Sequence, residues 1–375
     1  MAPLGLDRML CPENLRMADI DPRKGQPSVH LTAEAFRARA RERFVDSGFR
    51  AVDDAIDRIV GVAHEAYEAG RKAPRTRAAG PGYHDPSYEL SVDWLATRER
   101  IEAAGERWRD RSHPRRILLI SGSPRNDQTC PGEQPKSHRL LELARESIAT
   151  AGDVETDVLD LGRITAEYGR NIHPCKGCVS TAMPLCHWPC SCYPNHGLGQ
   201  VQDWMAEIYE RWIAAHGVMI ITPVHWYQAP SVLKLMIDRL VCADGGNPDP
   251  TLTGGKDPRR AKQVELDGWD YPKHLAGRAF SVVVHGDAEG VRGLTSSLVD
   301  WLTTLGLTSA GPQATVGRYI GYLRPYATNH VDLELDDAVE AEVHNAAITL
   351  CRAVRVMREG RWPPGDAPLP EPRPK

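Results

Sequence analysis

The run Ile117-Leu118-Leu119-Ile120 leads straight into Ser121-Gly122-Ser123-Pro124-Arg125. Four apolar residues followed by hydroxyls, glycine, proline and arginine form the pattern of a buried parallel strand whose C-terminal loop holds a phosphate. No Gly-Lys-Ser/Thr follows, which excludes a nucleotide P-loop. A mostly neutral hydroxyl loop with a single arginine suits the monophosphate of a cofactor.

From Arg115 onward, strand and helix patterns alternate. Strands are expected at Ile117–Ile120, Val154–Leu161, Gly217–Ile221, Arg278–Val284 and Ala310–Val316. Helices are expected at Ser137–Thr150, Gln200–Ala215, Ser231–Leu240, Leu294–Leu305 and Asp336–Met357. Five strands alternating with helices imply an α/β fold: a doubly wound five-stranded parallel sheet covered on both faces. Right-handed crossovers then place ligands at the carboxyl ends of the strands. Asp238 and Arg239 read as a structural pair at a helix end.

The chain ahead of this rhythm is different. Residues 1–30 lack periodicity and read as an arm. A helix is expected from Thr32, with Leu31 and Phe36 able to staple its start. After an interruption at Ser47-Gly48, residues Val52, Ile56, Ile59, Val60, Ala63 and Tyr67 follow helical spacing. Residues 71–89 read as a linker. Trp94, Ile101 and Trp108, seven apart, mark a third helix whose stripe needs a surface to pack on. The expected organisation is a helical N-terminal extension with arm and linker over residues 1–110 and a main domain over 111–360. An insertion lies at 243–276, and a Pro-rich disordered tail covers 361–375.

Composition narrows the function class. A net charge of -4 over 375 residues gives no broad attraction to nucleic acid or to an anionic membrane. No apolar run approaches the ~20 residues of a membrane span, and the N-terminus shows no signal segment. A cytoplasmic protein is therefore expected, with no nucleic-acid or membrane partner.

Three loops carry the candidate site. In loop one, Ser121, Ser123, Pro124, Arg125 and Ser137 are the candidate cofactor ligands, with Ser137 also a candidate N-cap that would aim free backbone amides at an anion. Loop two, Pro223-Val224-His225-Trp226-Tyr227, places three consecutive rings at the ligand edge, able to wall a flat heterocycle. Loop three, His285-Gly286-Asp287, has glycine for close backbone approach. A phosphate loop with a flat-ring wall points to flavin mononucleotide (FMN). Trp226, Tyr227 and His285 are the candidates for shaping an acceptor pocket.

Of nine cysteines, five fall between Cys175 and Cys192. In a chain without a secretion signal, such a cluster suggests metal or redox chemistry before structural disulfides. Cys175, Cys178, Cys186 and Cys190 would suffice for an iron–sulfur cluster or a zinc ion. Free thiols or a redox disulfide are the other readings.

Gly-Ser-Pro-Arg, then Pro-Cys-Lys-Gly-Cys, then Thr-Pro-Val-His-Trp-Tyr followed by Leu-Lys-Leu-Met-Ile-Asp-Arg, resembles the flavodoxin-like NAD(P)H-dependent FMN reductases. That family includes quinone reductases and iron–sulfur flavoproteins. The resemblance covers about residues 115–320. It implies a flavodoxin-like fold, with Ser123, Arg125 and Ser137 at the phosphate, Pro223 to Tyr227 along the isoalloxazine ring and Gly286 in the third flavin loop. Three departures stand out: loop one is enlarged by Asn126–Lys136, His225 replaces a frequent tyrosine, and about 110 residues precede the domain. The resemblance further implies NADPH or NADH as electron donor and a homodimer or homotetramer.

The leading expectation is an FMN-dependent NAD(P)H oxidoreductase passing electrons by ping-pong hydride transfer to a small acceptor such as a quinone, a nitroaromatic or a flavin. The alternatives are an iron–sulfur flavoprotein electron carrier using the Cys175–Cys192 cluster, and a thiol or zinc redox sensor.

Overall fold

The computed structural model describes Pro22 and residues 30–129 and 133–362. Most of the expected arm and nearly all of the expected tail lie outside these residues. The chain divides into two compact units. One takes the chain up to Leu95 together with Lys176–Val201 and Gly246–Tyr271; the other takes Ala96–Cys175, Gln202–Gly245 and the chain from Pro272. The units therefore do not follow a single cut near residue 110. The cysteine-rich loop and most of the 243–276 insertion group with the N-terminal segment.

In the first unit, α1 (Ala33–Arg41) starts where expected: Thr32 Oγ1 accepts from the Ala35 amide at 3.2 Å, satisfying one of the orphan donors of the first turn. Helix α2 (Asp53–Glu68) buries Ile56 and Val60, four apart on one face. The Phe36 and Tyr67 rings meet at 4.9 Å, and the Leu31 amide donates to the Tyr67 hydroxyl. The expected linker contains order of its own, because β1 (Thr76–Ala78) pairs antiparallel with β2 (Glu89–Ser91). Helix α3 (Val92–Arg109) straddles the unit boundary in sequence. Its Trp94 is buried with Leu90 and Leu95 and donates its indole N–H to Pro189 O.

The second unit is built on β3 (Arg115–Ser121), β4 (Val154–Asp160), β5 (Gly217–Pro223), β6 (Ala279–Gly286), β7 (Thr308–Ser309) and β8 (Thr315–Tyr319). All pairings are parallel, in the order β4-β3-β5-β6, with β7 and β8 both pairing with β6. This is a doubly wound sheet in which the first strand lies inside the second, so the order reverses at β3. The central strands are near-continuous apolar runs because both faces are covered. The expected fifth strand, Ala310–Val316, is interrupted. Gly311 has φ 139°, Pro312 has no N–H to donate, and the chain turns through a short helical segment at Pro312–Ala314 before β8 resumes the pairing.

The helices of this unit are α4 (Lys136–Thr150), α5 (Arg163–Ala166), α6 (Met205–Ala214), α7 (Ser231–Arg239), α9 (Val291–Thr304), α10 (Asn329–Glu334) and α11 (Asp337–Arg358); α8 (Pro258–Leu266) lies in the first unit. Leu140, Leu141, Ala144 and Ile148 of α4 share one buried cluster with Val343, Leu350 and Val354 of α11 and with Ile117, Leu119, Met219 and Ile221 of the sheet. Each such fully buried Leu, Ile or Val contributes roughly 1.5–3 kcal/mol. The pairing expected for Arg239 is corrected. Its guanidinium is fully buried and joins Asp203 at 2.6 Å, while Asp238 pairs with Lys234 one turn earlier. No helix among the described residues is long and apolar enough to cross a membrane.

Candidate functional site

The carboxyl ends of β3, β5 and β6 deliver three loops to one cavity of about 280 Å³. Its lining includes Ser123, Arg125, Lys136, Ser137, His225 and Asp287. That volume lies near the lower end of the range of ligand pockets, roughly 300–1,000 Å³.

Loop one packs close to the sheet. A side chain at Gly122 would bring its Cβ within 2.5 Å of Thr222 Oγ1 and 2.9 Å of Leu233, so only glycine fits between β3 and the neighbouring strand and helix. Ser121 is buried at the end of β3, and its carbonyl accepts from the Leu161 amide. Ser123 is buried, with its hydroxyl accepting from the Arg125 amide at 3.0 Å. The Pro124 carbonyl accepts from the Thr165 hydroxyl. Asn126 anchors the enlarged part of the loop: its side chain donates to Asp160 Oδ2 at 2.8 Å and accepts from the Gln128 amide. The Arg125 guanidinium donates to Glu133 O at 2.9 Å, which leaves its Nε buried with no hydrogen-bond partner.

Ser137 is not the N-cap. Pro135 caps α4 without a side-chain bond, and Ser137 sits in the first turn. Proline carries no N–H to lose and is pre-set for a helix start, which explains why it takes this end. The first-turn amides of Lys136 and Ser137 have no carbonyl one turn back to bond within the helix. The Ser137 hydroxyl lies 2.8 Å from His285 Nε2.

His285 is buried at the end of β6, and its other ring nitrogen has no hydrogen-bond partner. Burial first, then the charges of Lys136 and His225, push the imidazole down to about 3, so it is neutral near pH 7. Lys136 was not among the sequence candidates. Its side chain is buried, its ammonium donates to Ile320 O at 2.7 Å, and it stands 3.5 Å from the Asp287 carboxylate. Burial lowers this lysine and Asp287 opposes the shift. Asp287 also accepts from Asn329 Nδ2 at 3.3 Å, and Asn329 Oδ1 is buried without a partner. Tyr326 and His330 complete this side of the cavity. Ile320, Tyr326, Asn329 and His330 come from a stretch with no hydrophobic period, so no local signal marked them.

Loop two closes on itself. The His225 and Gln228 amides exchange hydrogen bonds of 3.0 Å with each other's carbonyls, making Trp226 and Tyr227 the two residues of a tight turn. Both take positive φ, 48° and 67°. The cavity lining takes Pro223, Val224 and His225 from this loop, while Trp226 and Tyr227 project at the tip, 95% and 62% exposed. Gly290 lies so close that a Cβ there would come within 2.7 Å of Tyr227 Cα. Gly286 and the backbone of Val224 complete the junction, the Val224 amide donating to His285 O at 2.8 Å.

A doubly wound parallel sheet whose ligand edge gathers a serine–arginine loop, an aromatic turn and a glycine-bearing third loop narrows the choice of families. Residues 115–320 match the family model described as NADPH-dependent FMN reductase. The chain belongs to that family. Among curated proteins, an iron–sulfur flavoprotein from Methanosarcina thermophila is 30% identical over 126 residues, which is 34% of this chain and 52% of that protein. The chain thus spans about half the length of the curated relative it matches. Among solved structures, RosB with the bound intermediate 8-demethyl-8-formylriboflavin-5'-phosphate aligns with 66% of this chain and 82% of its own at 12% identity and a TM-score of 0.43. An NAD(P)H:quinone oxidoreductase from Methanothermobacter marburgensis aligns with 65% of this chain and 98% of its own at 17% identity and a TM-score of 0.34.

The cysteine cluster of this family member divides. Cys175 belongs to the second unit, and Cys178, Cys186, Cys190 and Cys192 to the first. Among the described residues, no group of three or more His, Cys, Asp or Glu is placed to hold a metal ion. Cys178 and Cys192 form a close pair, with their sulfurs 3.4 Å apart. The hydrogen bond from Cys192 pulls the Cys178 thiol down to about 6, with burial opposing and Lys256 assisting.

Proposed function

We propose that this protein is an FMN-dependent NAD(P)H oxidoreductase that passes electrons to a small acceptor, a quinone, a nitroaromatic or a flavin. The observation that carries the reading is the buried, unpartnered Arg125 Nε on a cavity at the sheet's ligand edge. A buried cationic donor without an acceptor costs free energy, and an anionic group bound there would satisfy it. The first-turn amides of Lys136 and Ser137 add donors at the positive end of α4.

The residues present fit FMN. Ser123, Arg125 and the start of α4 would hold its phosphate. Pro223, Val224, His225, Gly286 and Asp287 would line its further course, and the unpartnered nitrogen of His285 offers one more polar contact. Bound FMN supplies two-electron redox chemistry, which no side chain of this site can provide. The protein's part is to bind, orient and tune. Neutral His285 holds Ser137 in place, and Lys136, neutralised in part by Asp287, keeps positive charge at the cavity wall. Trp226 and Tyr227, exposed at the loop-two tip, would meet donor and acceptor in turn in a ping-pong exchange. A cytoplasmic homodimer or homotetramer belongs to the same reading. An iron–sulfur electron carrier is the weaker alternative, since among the described residues no group of three or more possible ligands is placed to hold a metal.

The test is a visible spectrum of the purified protein before and after added FMN, then with NADPH under anaerobic conditions. Flavin absorbance that bleaches with NADPH is expected. A colourless protein that takes up no added FMN removes the reading.

A further inference from the structure

A second site lies wholly within the first unit. Cys178 Sγ and Cys192 Sγ stand 3.4 Å apart with no bond between them. Lys256 Nζ is 3.6 Å from Cys178 Sγ and 2.6 Å from Leu185 O, so its ammonium is fixed beside the sulfur. Lys72 is held nearby through the Ser191 carbonyl. The two thiols differ in access: Cys178 is half-buried and Cys192 is buried. One sulfur can be reached and has a cation to stabilise its thiolate; the other is covered but within striking distance of the first. That asymmetry is what an attacking and a resolving thiol require. Lys72 and Lys256 also line a cavity of about 260 Å³ with His187, Ser191 and Tyr193. The cavity gives an acid-bearing small molecule a place beside the two cations.

We propose that Cys178 and Cys192 form a reversible dithiol–disulfide couple that exchanges with low-molecular-weight, carboxylate-bearing disulfides, Cys178 attacking and Cys192 resolving. In the first step the Cys178 thiolate attacks one sulfur of the small disulfide. A bond forms between Cys178 and that sulfur, the original S–S bond breaks, and one small thiolate leaves with the electron pair and takes a proton from water. Cys192 then loses its proton to water and attacks Cys178 in the mixed disulfide. The Cys178–Cys192 bond forms and the second small thiolate is expelled. Two protein thiols are oxidised by two electrons, and one small disulfide is reduced to two thiols. Excess small thiol reverses the sequence. Flavin plays no part in these steps, so this site stands or falls separately from the FMN reading.

The probe is glutathione. Full-length protein, freshly reduced and desalted, is equilibrated in mixtures of reduced and oxidised glutathione, quenched by alkylation and mapped by mass spectrometry. The expected result is a loss of roughly two alkylatable thiols per chain with a link between Cys178 and Cys192. Cys192→Ser should accumulate a glutathione adduct on Cys178, and Cys178→Ser should slow exchange by about tenfold or more. A link mapped to a different pair, an adduct on another cysteine in Cys192→Ser, or both thiols still alkylated in the most oxidising mixture overturns the proposal. So does stoichiometric iron and sulfide on these cysteines in anaerobically prepared protein. The wild-type map needs no variant to fold, and flavin content measured on the same samples keeps the two sites distinct.

Discussion

Ser137 Oγ lies 2.8 Å from His285 Nε2, tying the first turn of α4 to the last residues of β6. Both side chains are buried, and the remaining histidine nitrogen is already without a partner. Removing the hydroxyl would leave both ring nitrogens unsatisfied. Ser137→Ala is therefore expected to destabilise the protein by about 1–3 kcal/mol, read as a lower midpoint in urea unfolding. An unchanged midpoint would mean that water replaces the hydroxyl without cost.

The same histidine sets a pH dependence. Burial holds His285 down to about 3 and His216 down to about 4, against an ordinary value of 6.5. Ser137, Lys136 and His225 face His285, and none of them offers it a negative charge. The unfolded chain takes up protons below about pH 6.5 that the folded chain refuses. Stability is complete above that pH and is lost as pH falls toward 4, by up to about 1.4 kcal/mol per pH unit for each histidine. Unfolding midpoints measured from pH 7 to pH 4 should show this decline, and His285→Gln should make it shallower, leaving the share of His216. A profile that is level over this range in the wild type would contradict the buried neutral imidazole.

Much of this was readable in the sequence, for identifiable reasons. The core strands are legible because burial on both faces leaves continuous apolar runs such as Ile117–Ile120, which no loop would tolerate. Loop one and loop three are legible because hydroxyl, arginine and glycine follow those runs directly. The fifth strand was misplaced because the break between β7 and β8, residues 310–314, still carries the apolar Ala310 and Ala314, so the apolar pattern hides it. Lys136 was missed because its partners, Ile320 and Asp287, lie 184 and 151 positions away, beyond any periodicity. The same distance hid the Ser137–His285 contact, although both residues were individually marked. The exposure of Trp226 and Tyr227 follows from a turn that forces both to positive φ, and ring chemistry alone does not reveal that.

Arg125 gives the direct test of the anion site. A charge-assisted hydrogen bond contributes roughly 1.5–3 kcal/mol, so Arg125→Ala should weaken FMN binding by about tenfold to a hundredfold. Arg125→Lys should recover only part, because an ammonium cannot both reach Glu133 O and present a second fixed donor. Fluorescence titration of the apoprotein with FMN measures both. Equal affinity in all three proteins would move the phosphate away from loop one.

Gly290 and Gly293 form an internal comparison. Gly290 has φ 111°, and its Cβ would sit 2.7 Å from the Tyr227 backbone; nothing lies within 4 Å of a Cβ at Gly293, inside α9. Gly290→Ala is expected to cost about 1–3 kcal/mol and to shift the loop-two turn, visible as altered tryptophan fluorescence from Trp226. Gly293→Ala should instead stabilise by roughly 0.5–1 kcal/mol, the helix-propensity gain of alanine over glycine. Thermal melts of the two variants should move in opposite directions.

The buried pair Arg239–Asp203 bears on how α7 is held beneath loop two. Arg239 is fully buried, its guanidinium meets both oxygens of Asp203 at 2.9 and 2.6 Å, and it also donates to His173 O. Cutting one partner strands the other charge without water. Asp203→Ala is expected to cost about 3–5 kcal/mol, far more than the loss of an exposed pair such as Lys234–Asp238, whose removal should cost under about 1 kcal/mol. Replacing both Arg239 and Asp203 by apolar residues of similar volume should recover most of the loss, because the desolvation cost vanishes with the charges. A double variant no more stable than Asp203→Ala would show that the bond from Arg239 to His173 O, rather than the ion pair, anchors the end of α7.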